Sequence, residues 1–213
     1  MQENYLKVEK TARYTTLGQC TPALEKVIYI FHGYGQLATS FIEEFSYFAD
    51  GTKYFIAPEG LSRFYISGKK GKVGASWMTS EHREQEIGDY LTYLDDLYRT
   101  ENKKIPEKNI QTILLGFSQG VATVCRWLEN LNIKADRLIL WGGEIPPELA
   151  LWRIRAHLPK LEVYLVAGTK DPFVPFDLLK DQEQRLENAQ IPYKKIRFDG
   201  KHELHPPTLQ KLL

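Results

Sequence analysis

The sequence predicts an α/β protein: one domain, with a mostly parallel sheet flanked by helices. Three observations carry that expectation. Six short runs of β-forming residues recur along the chain, and most are apolar without interruption, as strands buried on both faces require. Segments of helical periodicity separate them, an alternation that favours right-handed crossovers onto one sheet. The chain has 213 residues, a length that one domain with a sizeable core can use.

The elements follow in order. Residues 1–18 have β character without a helical period and read as an antiparallel edge strand or hairpin. EKVIYIF (25–31) is the first buried-strand run, and HGYG follows it; KYFIA (53–57) is the second, ended by PEG. The stretch LSRFYISGKKGKVGASWMTSEH (61–82) is rich in Gly, Lys and aromatics and reads as a long irregular loop. Such loops in a domain are often functional, and a surface excursion is the plainer reading. Ile87, Tyr90, Leu91, Leu94, Leu97 and Tyr98 recur at i, i+3, i+4, i+7, i+10 and i+11 with charges between them, the pattern of an amphipathic helix. IQTILLG (110–116) is the third strand run, and Val121, Ala122, Val124, Cys125 and Leu128 give the helix after it one apolar face. LILW (138–141), VYLVAG (163–168) and KKIRF (194–198) complete the strands, with a more exposed helix at 176–189 and a short one at 206–213 that opens on proline.

Charge and composition exclude several functions. There are 28 basic and 27 acidic residues, a net charge of +1, and no basic stripe, so nucleic acid is not an expected partner. Cys20 and Cys125 form neither a CxxC nor a zinc spacing, so free thiols in a reducing, cytoplasmic setting are expected. The opening MQENYLKVEK lacks the apolar core of a signal peptide. No apolar run nears the roughly 18 residues of a membrane span.

GFSQG (116–120) matches G-x-S-x-G. It closes a buried-strand run and opens a helical face, the setting of a nucleophile elbow. A serine at such a turn needs small residues on both flanks so that side chains do not collide. Its hydroxyl then stands above the carboxyl edge of the sheet, where the helix N-terminus favours developing negative charge. The alternative for Ser118 is a helix N-cap, a position serine also favours.

A serine hydroxyl needs a base, and the base needs an orienting group. The chain holds five histidines. His82, among charges at a helix start, and His157, in a basic segment, read as surface residues. His32 precedes a Gly-x-Gly turn and reads as scaffold. His202 and His205 follow the last strand in RFDGKHELHPP. His202, after a strand end and a glycine, lies in a loop that can reach over the sheet edge and is the preferred base. His205, beside Pro206, is expected to cap or precede the terminal helix. On a sheet of this kind the acid falls between serine and histidine in the chain. Asp171, just past VYLVAG, meets that condition; Asp177 and Asp181 fall in the next helix, and Asp136 precedes a strand. The plainer reading of Asp171 is a turn residue before Pro172. For the oxyanion hole, the Gln119 backbone N–H is one expected donor and the Tyr34 N–H the other, with Gly33 and Gly35 shaping the turn of IFHGYGQ. Four elements in this order, each at a strand's carboxyl end, outweigh the N-cap reading of Ser118.

With these residues in place, the sequence resembles the phospholipase/carboxylesterase family of α/β hydrolases, the lidless group that includes the acyl-protein thioesterases. The resemblance is carried by FHGYGQ (31–36), APEG (57–60), SWM (76–78), IPEKNIQTILLGFSQG (105–120), AGTKDPFVP (167–175) and FDGKHEL (198–204). It implies an α/β-hydrolase fold of about seven or eight strands without a separate lid domain, a Ser118–His202–Asp171 triad, and hydrolysis without metal or cofactor. It also implies a small-molecule acyl ester as substrate, with Trp77, Met78 and Phe173 on the substrate side; simple core packing is the plainer reading of Trp77. Three departures stand out: Gln36 where the family usually has Asp, Ala167-Gly168 where it often has His-Gly, and Lys201 in place of a glycine before the base. None removes a catalytic atom. The resulting expectation is a serine carboxylic-ester hydrolase for short- to medium-chain acyl groups. The alternatives are a thioesterase or lysophospholipase with the same triad, and a non-catalytic binding protein on a hydrolase scaffold. Exposed aromatics fit either a pocket rim or a homodimer contact.

Overall fold

The computed structural model describes residues 1–213 apart from 69, 107, 131, 132 and 157–160. Its elements are β1 (Tyr14–Leu17), β2 (Lys26–Phe31), α1 (Ala38–Glu43), a 3₁₀ turn (Ser46–Phe48), β3 (Lys53–Pro58), β4 (Ser62–Tyr65), β5 (Val73–Ser76), α2 (Arg83–Asn102), β6 (Gln111–Phe117), α3 (Gln119–Glu129), β7 (Arg137–Trp141), α4 (Leu151–Ala156), β8 (Glu162–Gly168), α5 (Phe176–Asn188), β9 (Tyr193–Phe198) and α6 (Pro206–Leu212). Seven strands form one sheet in the order β1-β3-β2-β6-β7-β8-β9. Only the edge pair β1–β3 is antiparallel, with Tyr14 opposite Pro58 and Leu17 opposite Phe55; the pairs from β3 through β9 are parallel.

The uninterrupted apolar runs have a physical reason. Successive side chains on a strand point to opposite faces, and both faces of this sheet are covered. Val27, Tyr29 and Phe31 of β2, Leu114 of β6, Leu138 and Leu140 of β7 and Val163 and Leu165 of β8 join one buried cluster with Tyr90, Leu94 and Leu97 of α2 and Val121, Val124, Cys125 and Leu128 of α3. The alternate residues Ile28, Ile30, Ile113, Leu115, Ile139 and Val166 join a second cluster with Phe41 and Ile42 of α1 and Leu209 and Leu212 of α6. The parallel sheet, its flanking helices and the helical face after Ser118 are therefore as the sequence predicts. Both cysteines are free, and Cys125 lies in the core. No helix among the described residues is long and apolar enough to cross a membrane.

The stretch 61–82 differs from expectation. Instead of an irregular loop it forms an antiparallel hairpin, β4–β5, with Ser62 opposite Ser76 and Tyr65 opposite Val73. Four-residue strands around a Gly- and Lys-rich tip give little periodicity to read. Gly74 allows a close approach that a side chain would block: a Cβ there would stand 2.4 Å from the Gly35 carbonyl oxygen. The short helices α1 and α4 were also not anticipated, because six residues are too few to establish a helical period. At the N-terminus only 14–17 form a strand; residues 1–13 form neither helix nor strand. His157 lies outside the described residues.

Candidate active site

Ser118 is the single residue between β6 and α3, with φ 54° and ψ −119°. A positive φ is costly for a residue with a Cβ, and the surroundings enforce it. The Ser118 N–H donates to the Trp141 carbonyl of β7 at 2.8 Å, and the Ser118 carbonyl accepts from the Val121 N–H at 3.0 Å. The flanking glycines are required by close backbone packing. A Cβ on Gly116 would lie 2.5 Å from the Gly120 oxygen, and one on Gly120 would lie 2.2 Å from the Phe31 oxygen. The Ser118 side chain makes no capping hydrogen bond to α3. Ser118 therefore occupies the N-cap position of α3 without making the side-chain bond that gives a capping serine its stabilising effect.

Asp171 follows β8 and His202 follows β9, and their side chains meet: His202 Nδ1 lies 2.8 Å from Asp171 Oδ2. The carboxylate is 1% exposed and the imidazole 18%. The other carboxylate oxygen, Oδ1, accepts the Phe173 N–H at 2.8 Å, so both oxygens are fixed. An ionised Asp171 accepts from Nδ1–H, which leaves the Nε2 lone pair as the basic position. The imidazole lies between two aromatic rings, Phe117 at 4.9 Å and Phe173 at 4.7 Å between centroids. Phe117 immediately precedes Ser118, so the His202 imidazole packs against the turn that carries Ser118. Gly142 supplies room beside the pair: a Cβ there would stand 3.3 Å from both Asp171 Oδ2 and His202 Cε1.

The two loops holding this pair are joined by backbone bonds. Thr169 N–H donates to the Phe198 carbonyl at 2.8 Å and Lys170 N–H to the Gly200 carbonyl at 2.9 Å. Arg197 Nη2 adds a bond to the Gly168 carbonyl at 2.9 Å. The Asp171–His202 geometry is thus set by neighbouring parallel strand ends.

On the other side of Ser118 lies the turn after β2. A Cβ on Gly33 would touch Ser118 Cβ at 3.1 Å. Gln36 Oε1 accepts the Gly33 N–H at 2.7 Å, so the glutamine closes the turn with a neutral acceptor. Gly35, at φ 75°, donates its N–H to the Ala75 carbonyl of β5 at 2.8 Å. Among the described residues, neither the Tyr34 N–H nor the Gln119 N–H has a hydrogen-bond partner. Two free donors flank the serine, and one of them starts a helix, where the dipole favours an anion.

The remaining histidines separate clearly. His32 is fully buried; its Nε2 accepts the Gly60 N–H at 3.0 Å and its Nδ1 lies 2.8 Å from the Gly33 carbonyl. That pairing fixes the neutral tautomer with hydrogen on Nδ1, and burial pulls its pKa below the ordinary 6.5. His32 is scaffold, as the sequence suggests. His205 heads α6, stacks on Phe198 and contacts Thr208 Oγ1 at 2.9 Å. His82 is an exposed residue at the start of α2.

Of the expected substrate-side residues, Phe173 is 68% exposed beside His202. Trp77 is not with it: at 1% exposed it belongs to the core, stacks on His32, and donates Nε1–H to the His32 carbonyl at 2.9 Å. Met78 is half-buried, and its carbonyl accepts from Ser76 Oγ–H and Gln119 Nε2–H, each at 2.8 Å. The Gln119 side chain makes a contact that the sequence does not reveal, since the motif points only to its backbone N–H.

A model of the phospholipase/carboxylesterase family matches residues 20–213. Several solved structures share the fold. Acyl-protein thioesterase 2 of Zea mays is 18% identical, with a TM-score of 0.72 over 94% of this chain and 96% of that one. A phospholipase/carboxylesterase of Dyadobacter fermentans is 18% identical, with a TM-score of 0.67 over 96% of each chain. A carboxylesterase of Bacillus cereus is 16% identical, with a TM-score of 0.65 over 94% of this chain and 91% of that one. No protein of curated function matches the sequence.

Proposed function

The chain belongs to the phospholipase/carboxylesterase family and is a hydrolase of carboxylesterase type; we propose that it cleaves short- to medium-chain acyl esters through Ser118, His202 and Asp171, with an acyl-enzyme on Ser118. The observation that carries this reading is the 2.8 Å His202–Asp171 contact beside a serine held at positive φ between strand and helix.

The reaction follows from the proton positions. His202 Nε2 takes the hydroxyl proton of Ser118 as Oγ attacks the ester carbonyl. The oxygen that becomes negative is met by the Tyr34 and Gln119 N–H groups, neither of which must break an existing bond to receive it. The imidazolium returns the proton to the departing alkoxide, leaving acyl-Ser118. Water then repeats the sequence: His202 takes its proton, the hydroxide attacks the acyl carbon, and the acid leaves as Ser118 regains its proton. Asp171 stays ionised and stabilises the imidazolium. No metal or cofactor enters any step.

The preference for shorter acyl groups rests on the position of the aromatics. Trp77 is sealed in the core, while Phe173 beside His202 and Tyr34 beside Phe64 are 68% and 61% exposed and enclose no deep acyl channel in this reading. Two free cysteines fit a reducing, cytoplasmic setting. The test is hydrolysis of p-nitrophenyl esters from acetate to palmitate, in wild type and Ser118→Ala. The expected kcat/KM peaks at or below the octanoate ester and is abolished in the variant. Equal activity in the variant would overturn the assignment, and a maximum at palmitate would overturn the chain-length preference.

A further inference from the structure

We infer that the Gln119 side-chain carboxamide is a positioning residue for oxyanion stabilisation, and that residues 74–78 are a strut setting the spacing of the two donor N–H groups. The inference rests on the function proposed above.

The strut is bound at both ends. At one end β5 pairs with the turn that carries the Tyr34 N–H: Gly35 N–H donates to the Ala75 carbonyl at 2.8 Å, and Ala75 N–H to the Gln36 carbonyl at 3.2 Å. At the other end the Gln119 side chain grips the following residues. Its Oε1 accepts the Trp77 N–H at 3.2 Å, and its Nε2 donates to the Met78 carbonyl at 2.8 Å and lies 3.1 Å from Ser76 Oγ. One residue thus offers its backbone N–H to the site while its side chain ties that backbone to a segment some forty positions earlier in the chain.

The strut is also confined sideways. Cβ atoms on Gly74 and Gly60 would each stand 2.4 Å from a backbone oxygen, that of Gly35 and that of Ser76. Trp77 fastens its middle to His32, the residue that begins the donor turn. Neither donor turn can move far without breaking bonds to the same short segment. Donors preset to the oxyanion's position need no reorganisation during reaction, so loosening the strut weakens the transition state more than the ground state.

The test compares Gln119→Met and Ser76→Ala with wild type, using p-nitrophenyl butyrate and normalising to sites titrated with a fluorophosphonate. Gln119→Met keeps the backbone N–H and the side-chain length and loses every clasping bond. Its kcat per titrated site is expected to fall about 30-fold, less than the roughly 10²–10³ of a deleted donor. KM should change less than about 3-fold, and affinity for a trifluoromethyl ketone should fall by the same factor as kcat/KM. Ser76→Ala should lose about 3-fold, and the double variant should show no further loss beyond Gln119→Met. If Gln119→Met is unfolded by circular dichroism, Gln119→Glu decides by the same readouts, since it keeps the acceptor for Trp77 and loses the donor to Met78. Wild-type kcat per titrated site, with only stability or titratable fraction reduced, would show a purely structural role and overturn the inference. Ser118→Ala runs alongside: its inactivity with wild-type kcat in Gln119→Met rejects the strut alone, whereas retained activity rejects the catalytic reading itself.

Discussion

The two sides of Ser118 are built differently. On the side of β8 and β9, Asp171 and His202 follow adjacent parallel strands, and their loops are stitched by backbone bonds such as Lys170 N–H to the Gly200 carbonyl. On the side of β2 and β5, the donor turn is held by a hairpin and by a side-chain carboxamide reaching across from α3. The first side inherits its geometry from the sheet; the second depends on a few polar side-chain contacts and glycine-only backbone approaches. The proposed proton-transfer pair is therefore expected to be robust, and the proposed oxyanion donors to be the more easily disturbed half of the site.

Mutations can break this comparison in graded steps. The largest effect is expected for Ser118→Ala or His202→Ala, with kcat down by about 10⁴–10⁶ and an unchanged circular dichroism spectrum; steady-state hydrolysis checks it. Asp171→Asn should cost about 10³–10⁴ in kcat with little change in KM. The amide keeps an oxygen for the Phe173 N–H, but its NH₂ can face Nδ1 and favour the wrong tautomer. Gly74→Ala attacks the other side. Its methyl would meet the Gly35 oxygen at 2.4 Å, so the donor turn must shift, and kcat should fall about 10-fold while the His202–Asp171 pair stays intact. Equal losses from Gly74→Ala and a substitution of similar size at an exposed site would erase the distinction between the two halves.

The smallest expected effect is on stability. Folded His32 is held neutral by burial, with a pKa below 6.5, whereas in the unfolded chain it takes up a proton near pH 6.5. The unfolded state therefore binds more protons below that pH, so stability is intact above pH 6.5 and declines as the pH falls through it. His32 imidazole resonances that remain those of the neutral ring at pH 6, in a protein whose melting temperature has begun to fall, would match this expectation. A protonated His32 in the folded protein at pH 6 would contradict it.

The same contrast explains what could be read before folding. Ser118 and Asp171 each follow an apolar run, and a run that is buried on both faces announces its own end; His202 follows the half-exposed edge strand β9, marked instead by its β-forming residues and the glycine after it. Strand ends in a parallel sheet share one edge, so three distant residues could be assigned to one place. The hairpin β4–β5 left no such trace: its strands are four residues each, and its importance comes from what its backbone touches. Trp77 illustrates the limit. The family resemblance suggests a pocket wall, with core packing as the plainer reading, and its indole donates to the His32 carbonyl in the core, a contact no periodicity encodes. The clasp made by Gln119 was hidden for the same reason, since side-chain contacts across about forty residues depend on the finished fold.

The most direct test of the account is mass-mapped labelling with a fluorophosphonate. One adduct per chain is expected, on Ser118, with its rate of formation lost in His202→Ala although that variant remains folded. Labelling at another residue, or none in folded wild-type protein, would contradict it.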